Sequence, residues 1–231
     1  MCVFMVGQAR TLARVDTPQA PLLQCARPST GTRTVALAYS IDNLIVDMDA
    51  LLTGALTPPV LVDTAAGLLE RLVADPAHLP ERFHVPGERS GKPSHSTFLL
   101  HSAPSEWSIT AVVWGAGDFA PPHDHRTWGL FGVIENQIEE ARFRRLDDGS
   151  DTTRARIERT RERIVKPGSV SMLVPGSDDI HAMNNPSGRP TVEIHIYGRD
   201  LKGLERSRFD PETGQIFPFT TERYDNDEAP T

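Results

Sequence analysis

A chain of 231 residues with a formal charge of −7 is long enough to bury one sizeable core and too acidic to offer the basic surface that nucleic-acid phosphates require. No apolar run approaches the roughly 20 residues of a membrane-spanning helix. The stretch Cys2-Val3-Phe4-Met5-Val6 is too short for a signal-peptide core and has no basic segment before it. Nucleic acid and membrane are thereby excluded as expected partners, and a cytoplasmic location is expected. Cys2 and Cys25 lie far from any Cys-x-x-Cys pattern and read as free thiols.

In chain order, residues 1–34 carry scattered Thr, Pro, Gln and Arg without periodicity and read as a flexible arm. Residues 35–83 read as a helical segment. Leu44, Ile45, Met48, Leu51 and Leu52 recur at three- and four-residue spacing and predict an amphipathic helix, broken by Pro58-Pro59. Asp63 or Thr64 is expected to cap a second helix through Leu68, Leu69, Leu72 and Val73, ending near Pro76. The polar stretch His84–Ser96 reads as a linker.

From Thr97 the hydrophobic period becomes two. Thr97–His101, Trp107–Trp114, Gly129–Ile134, Gln137–Arg145, Ala155–Ile164, Val170–Val174 and Thr191–Tyr197 read as short strands separated by Gly, Pro, Asn and Asp. Many short strands with no helix between them predict a sandwich or barrel, here over residues 97–220 with a C-terminal extension. Residues 221–231 read as a flexible acidic tail.

His123-Asp124-His125 follows Gly117 and Pro121-Pro122 in a stretch that reads as strand and turn. Side chains two apart on a strand share a face, so His123 and His125 point the same way and Asp124 the other. Two imidazoles on one inward face are candidate ligands for iron, zinc, copper or nickel. His181 and His195 lie downstream. His84, His95 and His101 have no partner at ligand spacing and are expected to be structural or solvent-exposed.

These residues resemble the cupin superfamily. Gly117, five residues, then His123-x-His125 matches its first motif, and His181 with Asn185, after Gly168 and Pro175-Gly176, matches the end of its second. The glutamate that usually follows the first motif is missing, with Gly129 and Leu130 in its place. The resemblance implies a mainly β fold, the cupin double-stranded β-helix or jelly-roll barrel, preceded by a short α-helical N-terminal segment. It also implies a metal held by His123, His125 and His181.

A neutral three-histidine face, with His195-x-Tyr197-Gly198 downstream, is similar to the thiol dioxygenases, the family of cysteine dioxygenase and bacterial 3-mercaptopropionate dioxygenase. That resemblance implies Fe(II), a small thiol and O2 as substrates, and a Ser-x-His-x-Tyr relay. His195 and Tyr197 match the relay as catalytic residues, while Glu193 stands at the serine position. Arg206, in Arg206-Ser207-Arg208-Phe209-Asp210-Pro211, matches the arginine that binds a substrate carboxylate. Trp128 is expected to wall the substrate pocket. Neither cysteine lies near Tyr197, so no cysteine–tyrosine crosslink is expected. Another cupin metalloenzyme (a carbon-directed dioxygenase or an isomerase) and a non-enzymatic small-ligand-binding cupin are alternatives that the residues leave open.

Overall fold

The computed structural model describes residues 38–75, 79–89, 92–103, 107–176 and 179–227. The arm expected over residues 1–34, with Cys2 and Cys25, lies outside them, as do the last four residues of the tail. Helix α1 spans Ile41–Leu52. A capping box starts it: the Ser40 side chain accepts from the Asn43 backbone N–H, and the Asn43 side chain accepts from the Ser40 N–H. Leu44 and Met48 form its buried stripe.

Helix α2 spans Pro58–Val73 and departs from the sequence expectation. Pro58-Pro59 opens this helix at its first two positions, where a missing N–H costs nothing because those donors have no intrahelical acceptor. Asp63 and Thr64 are therefore interior residues, and the Thr64 hydroxyl donates back to the Val60 carbonyl at 2.9 Å. No helix of the described residues is long and apolar enough to cross a membrane.

A short antiparallel pair, β1 (Gly87–Arg89) and β2 (Lys92–Ser94), occupies the stretch expected to be a linker. Two larger antiparallel sheets follow. The first has the order β3 (Ser96–Ala103), β4 (Trp107–Trp114), β11 (Thr191–Tyr197), β6 (Gly129–Glu135), β9 (Val170–Leu173). The second runs β13 (Ile216–Phe219), β12 (Arg206–Phe209), β5 (Phe119–His123), β10 (Ile180–Asn184), β7 (Ile138–Arg145), β8 (Ile157–Val165). Each sheet mixes strands from distant parts of the chain, as in a double-stranded β-helix. The fold is mainly β, with two helices on the N-terminal side.

The two faces of the first sheet have different roles. Val192, Ile194 and Ile196 of β11 join Trp107, Ile109, Leu130 and the buried faces of both helices in the largest apolar cluster. Thr191, Glu193, His195 and Tyr197 alternate with them and are also buried. Between the sheets, Val112, Trp114, Phe131, Val133, Ile138, Val165 and Met183 form a second cluster. The polar side chains described below also lie on this inner face.

Residues 225 and 226, expected to belong to a flexible tail, are tied to the edge strand β3. Thr97 N–H donates to Asp225 and Asp225 N–H to the Thr97 carbonyl, while Asn226 exchanges two bonds with the backbone of Leu99. The tail thus satisfies backbone groups that an edge strand otherwise leaves open.

Candidate metal centre

His123 is the last residue of β5 and His181 the second of β10, and the two are direct partners across the antiparallel pair. His125 lies beyond the end of β5, so strand alternation does not orient it. Its loop is pinned instead to β12: Asp124 N–H donates to the Ser207 carbonyl at 3.0 Å, and Ser207 N–H donates to Asp124 Oδ1 at 2.9 Å. Asp124 also pairs with Arg126 at 3.1 Å, leaving its carboxylate committed away from the histidines.

Gly117 turns the chain into β5 with φ +76°, a conformation that favours glycine. Its N–H donates to the Asn185 carbonyl at 2.9 Å, and the Asn185 amide in turn donates to the carbonyl of Gly115 at 2.9 Å. The ends of the two motifs are in this way clamped together, and that clamp sets β5 beside β10.

The three rings converge. Their centroids are 4.9 Å apart for His123–His125, 4.7 Å for His123–His181 and 5.1 Å for His125–His181. One nitrogen of each lies within 4.8 Å of the others, a spacing at which the three can hold a metal ion. Burial holds the pKa of all three below the ordinary histidine value. For His123 and His125 the neighbouring positive charges deepen the effect, whereas Glu140 partly offsets it at His181. They are neutral imidazoles, the form that ligates a cation.

Each ring has a different second neighbour. His123 Nδ1 lies 2.9 Å from the Pro121 carbonyl, which only accepts, so Nδ1 carries the proton and Nε2 is left with its lone pair. His181 Nδ1 lies 3.3 Å from Glu140 Oε1. His125 Nδ1 is buried with no protein partner. Three buried, neutral imidazoles whose ring nitrogens converge are a donor set that fits a transition metal.

Glu140 was not singled out from the sequence. It is fully buried and contacts Arg142 Nε at 2.7 Å and Arg163 Nε at 2.9 Å, and it accepts from the Ser171 hydroxyl. Burial pushes its pKa up, but the His181 hydrogen bond and the two guanidinium groups outweigh that and hold it well below the ordinary carboxylate range. The three-histidine face is therefore neutral in its ligands but backed by a compensated carboxylate.

Behind the cluster runs a relay. Tyr197 stacks on His125 with centroids 5.0 Å apart, and its hydroxyl lies 2.7 Å from His195 Nδ1. His195 Nε2 lies 2.8 Å from Glu193 Oε2, which also accepts from Trp114 Nε1 at 2.7 Å. Phe131 stacks on the His195 ring at 5.4 Å. Gly129 leaves the space for Tyr197, since a Cβ there would sit 2.9 Å from the phenol ring.

Arg206 is 7% exposed and sits on the face of β12 toward the cluster, its charge acting on both His123 and His125. Its Nη2 donates to Thr221 Oγ1 at 2.5 Å, and its guanidinium lies over Phe219 at 4.4 Å. Nε is buried without a partner, and among the described residues no acidic side chain pairs with it. Arg208 covers the same phenyl ring at 4.3 Å. Burial lowers the Arg206 pKa, and the charge of Asp124, which does not pair with it, only partly offsets that.

Trp128 lies just before β6, packs against the helix-side cluster and approaches Gly198 closely. His84 pairs with Glu135, His95 with Asp118, and His101 packs at a tilt against Trp107, so none joins the trio.

No protein-family model matches the chain. Among solved structures, it is similar to the Cupin_2 domain of an XRE-family transcriptional regulator from Enterobacter cloacae, at 16% identity over 46% of this chain and 98% of that one, with a TM-score of 0.33. It is also similar to an oxalate oxidase in complex with the substrate analogue glycolate, at 15% identity over 54% of this chain and 60% of that one, TM-score 0.37. A third likeness is to a conserved protein with a double-stranded β-helix domain from Klebsiella pneumoniae, at 12% identity over 63% and 91%, TM-score 0.39.

Proposed function

We propose that the chain is an iron-dependent thiol dioxygenase that converts a small mercaptocarboxylic acid, or cysteine, and O2 to the sulfinic acid. The single observation that carries the reading is Arg206, a buried guanidinium with no acidic partner beside three neutral histidines. A buried cation with no acidic group paired to it directly is costly unless a ligand supplies the anion. A planar guanidinium receives a carboxylate with defined geometry, which sets the other end of a short thiol acid toward the histidines.

His123, His125 and His181 would hold Fe(II), which when bound supplies the template that brings a thiolate and dioxygen together. Both oxygen atoms go to sulfur and form two S–O bonds as the O–O bond breaks. Sulfur gives up four electrons to dioxygen, so no further reductant is needed. Arg206 binds and orients the carboxylate, and Phe219 fixes the guanidinium plane. Tyr197 faces the site from above His125, held by His195 and Glu193. Phe131 and the apolar side chains between the sheets exclude water from the inner side.

The test is anaerobic loading with Fe(II) followed by oxygen-electrode assays with cysteine, 3-mercaptopropionate, mercaptosuccinate and cysteamine. Stoichiometric oxygen uptake with a carboxylated thiol, and a much poorer response to cysteamine, is the expected result. An iron-loaded protein that consumes no oxygen with any of the four would sink the proposal.

A further inference from the structure

The partners of the three histidines are unequal: a backbone carbonyl at His123, no protein group at Nδ1 of His125, and a carboxylate at His181. We infer that Glu140 is the positioning residue of the metal centre, holding His181 with Nδ1 protonated and Nε2 directed at the ion. The inference rests on the metal-binding half of the proposed function and is independent of the thiol reaction.

The placement follows from register. On β7, Arg142 lies directly opposite His181 and Glu140 opposite Met183, so Glu140 is the diagonal neighbour of the ligand on the inner face. Oε1 takes Arg142 and His181 together, Oε2 takes Arg163, and the Ser171 hydroxyl spans both oxygens. A carboxylate fixed at both oxygens cannot rotate away from the ring. Being ionised, it accepts only, so the proton on His181 must sit on Nδ1. A carboxylate behind a ligating imidazole also raises its basicity and fixes its orientation, and loss of such a partner typically weakens metal binding by about 10- to 100-fold.

The arginines explain why the charge is tolerated there. Arg142 is fully buried, and its guanidinium also donates to the Ser171 hydroxyl and the Met172 carbonyl. The acid therefore remains a carboxylate in a site that would otherwise protonate it.

The first measurement uses the metal-free wild type: 15N-histidine NMR at neutral pH, with the His181 signal assigned by its loss in His181→Gln. The Nδ1–H tautomer is expected, and an Nε2–H tautomer overturns the inference. The second is competition titration with Zn(II) on Glu140→Asp. This variant keeps a negative charge for both arginines but withdraws the oxygen from His181 by one methylene. A mixed His181 tautomer and Zn(II) affinity weaker by about 10- to 100-fold are expected. Ser171→Ala perturbs the same network without touching the ring and should leave the tautomer unchanged. Wild-type tautomer and affinity in Glu140→Asp would overturn the assignment. Neither readout involves turnover, so a protein inert toward thiols counts against the proposed reaction alone.

Discussion

The hydroxyl of Tyr197 lies 2.7 Å from Nδ1 of His195, and Glu193 Oε2 lies 2.8 Å from Nε2 on the far side of the ring. When Nε2 of a neutral His195 ring donates to Glu193, Nδ1 is the acceptor and Tyr197 the donor. The phenol oxygen is thus left free to accept from a bound substrate. Burial drives the Tyr197 pKa upward, with Glu193 adding to the effect and Arg206 opposing it, so the hydroxyl keeps its proton. Tyr197→Phe should leave iron content unchanged and lower kcat by about 100-fold, the scale of a misplaced proton-handling group. Equal kcat in the variant would remove Tyr197 from the reaction.

Arg206→Ala should separate binding from metal retention. A hydrogen bond to a charged group is worth about 1.5–3 kcal/mol, so KM for a mercaptocarboxylate should rise roughly 10- to 150-fold. Iron content should hold, because Arg206 touches none of the histidines through a hydrogen bond. Cysteamine, which has no carboxylate, should be nearly indifferent to the change. A uniform loss across all four thiols would instead mean that Arg206 supports the fold.

What was legible in the sequence follows one physical divide. His123, His125 and His181 stood out because their spacing is bound to two short motifs whose glycine and asparagine clamp the strands. The alternation of β11 correctly placed Glu193, His195 and Tyr197 on one face. Alternation does not say which face is inside, however. In Ile138–Arg145 both faces carry charge, and nothing local marks Glu140 and Arg142 as the inward pair. Their burial is decided by β10 and β9, which arrive some 30 to 40 residues later in the chain. Phe219 and Thr221, which cradle Arg206, are hidden for the same reason. The double proline misled in a different way, since proline both ends one helix and opens the next.

The metal-free protein should lose stability as pH falls below 6.5. His123 and His125 have folded pKa values well below that ordinary value and His181 is also lowered, burial being the largest cause in each case. The unfolded chain therefore binds more protons than the folded one as pH drops through the ordinary histidine range. Stability is full above 6.5 and declines below it, by up to about 1.4 kcal/mol per pH unit for each histidine. Thermal unfolding of the metal-free protein between pH 7.5 and 5 should show this slope. His123→Asn should flatten it by about one histidine's share. A profile level down to pH 5 would contradict the neutral, buried state of the trio.

Glu193 allows charge and hydrogen bonding to be separated, because one oxygen does both jobs. Oε2 accepts from Trp114 and from His195, while Oε1 is buried without a partner. Glu193→Gln can place its carbonyl oxygen at the Oε2 position and keep both bonds, losing the charge and setting a buried NH2 where Oε1 has no partner, at a cost of about 1–3 kcal/mol in stability. It should fold, retain the His195 tautomer by 15N NMR, and lose no more than about tenfold in kcat. Glu193→Leu removes the acceptor altogether and orphans two buried N–H groups, at a cost of about 1–3 kcal/mol each. His195 is then free to take either tautomer, Tyr197 no longer has a fixed bond direction, and kcat should fall by about 100-fold with iron still bound. If Gln and Leu were equally impaired while Gln kept the tautomer, the charge rather than the bond direction would be the feature that matters at this position.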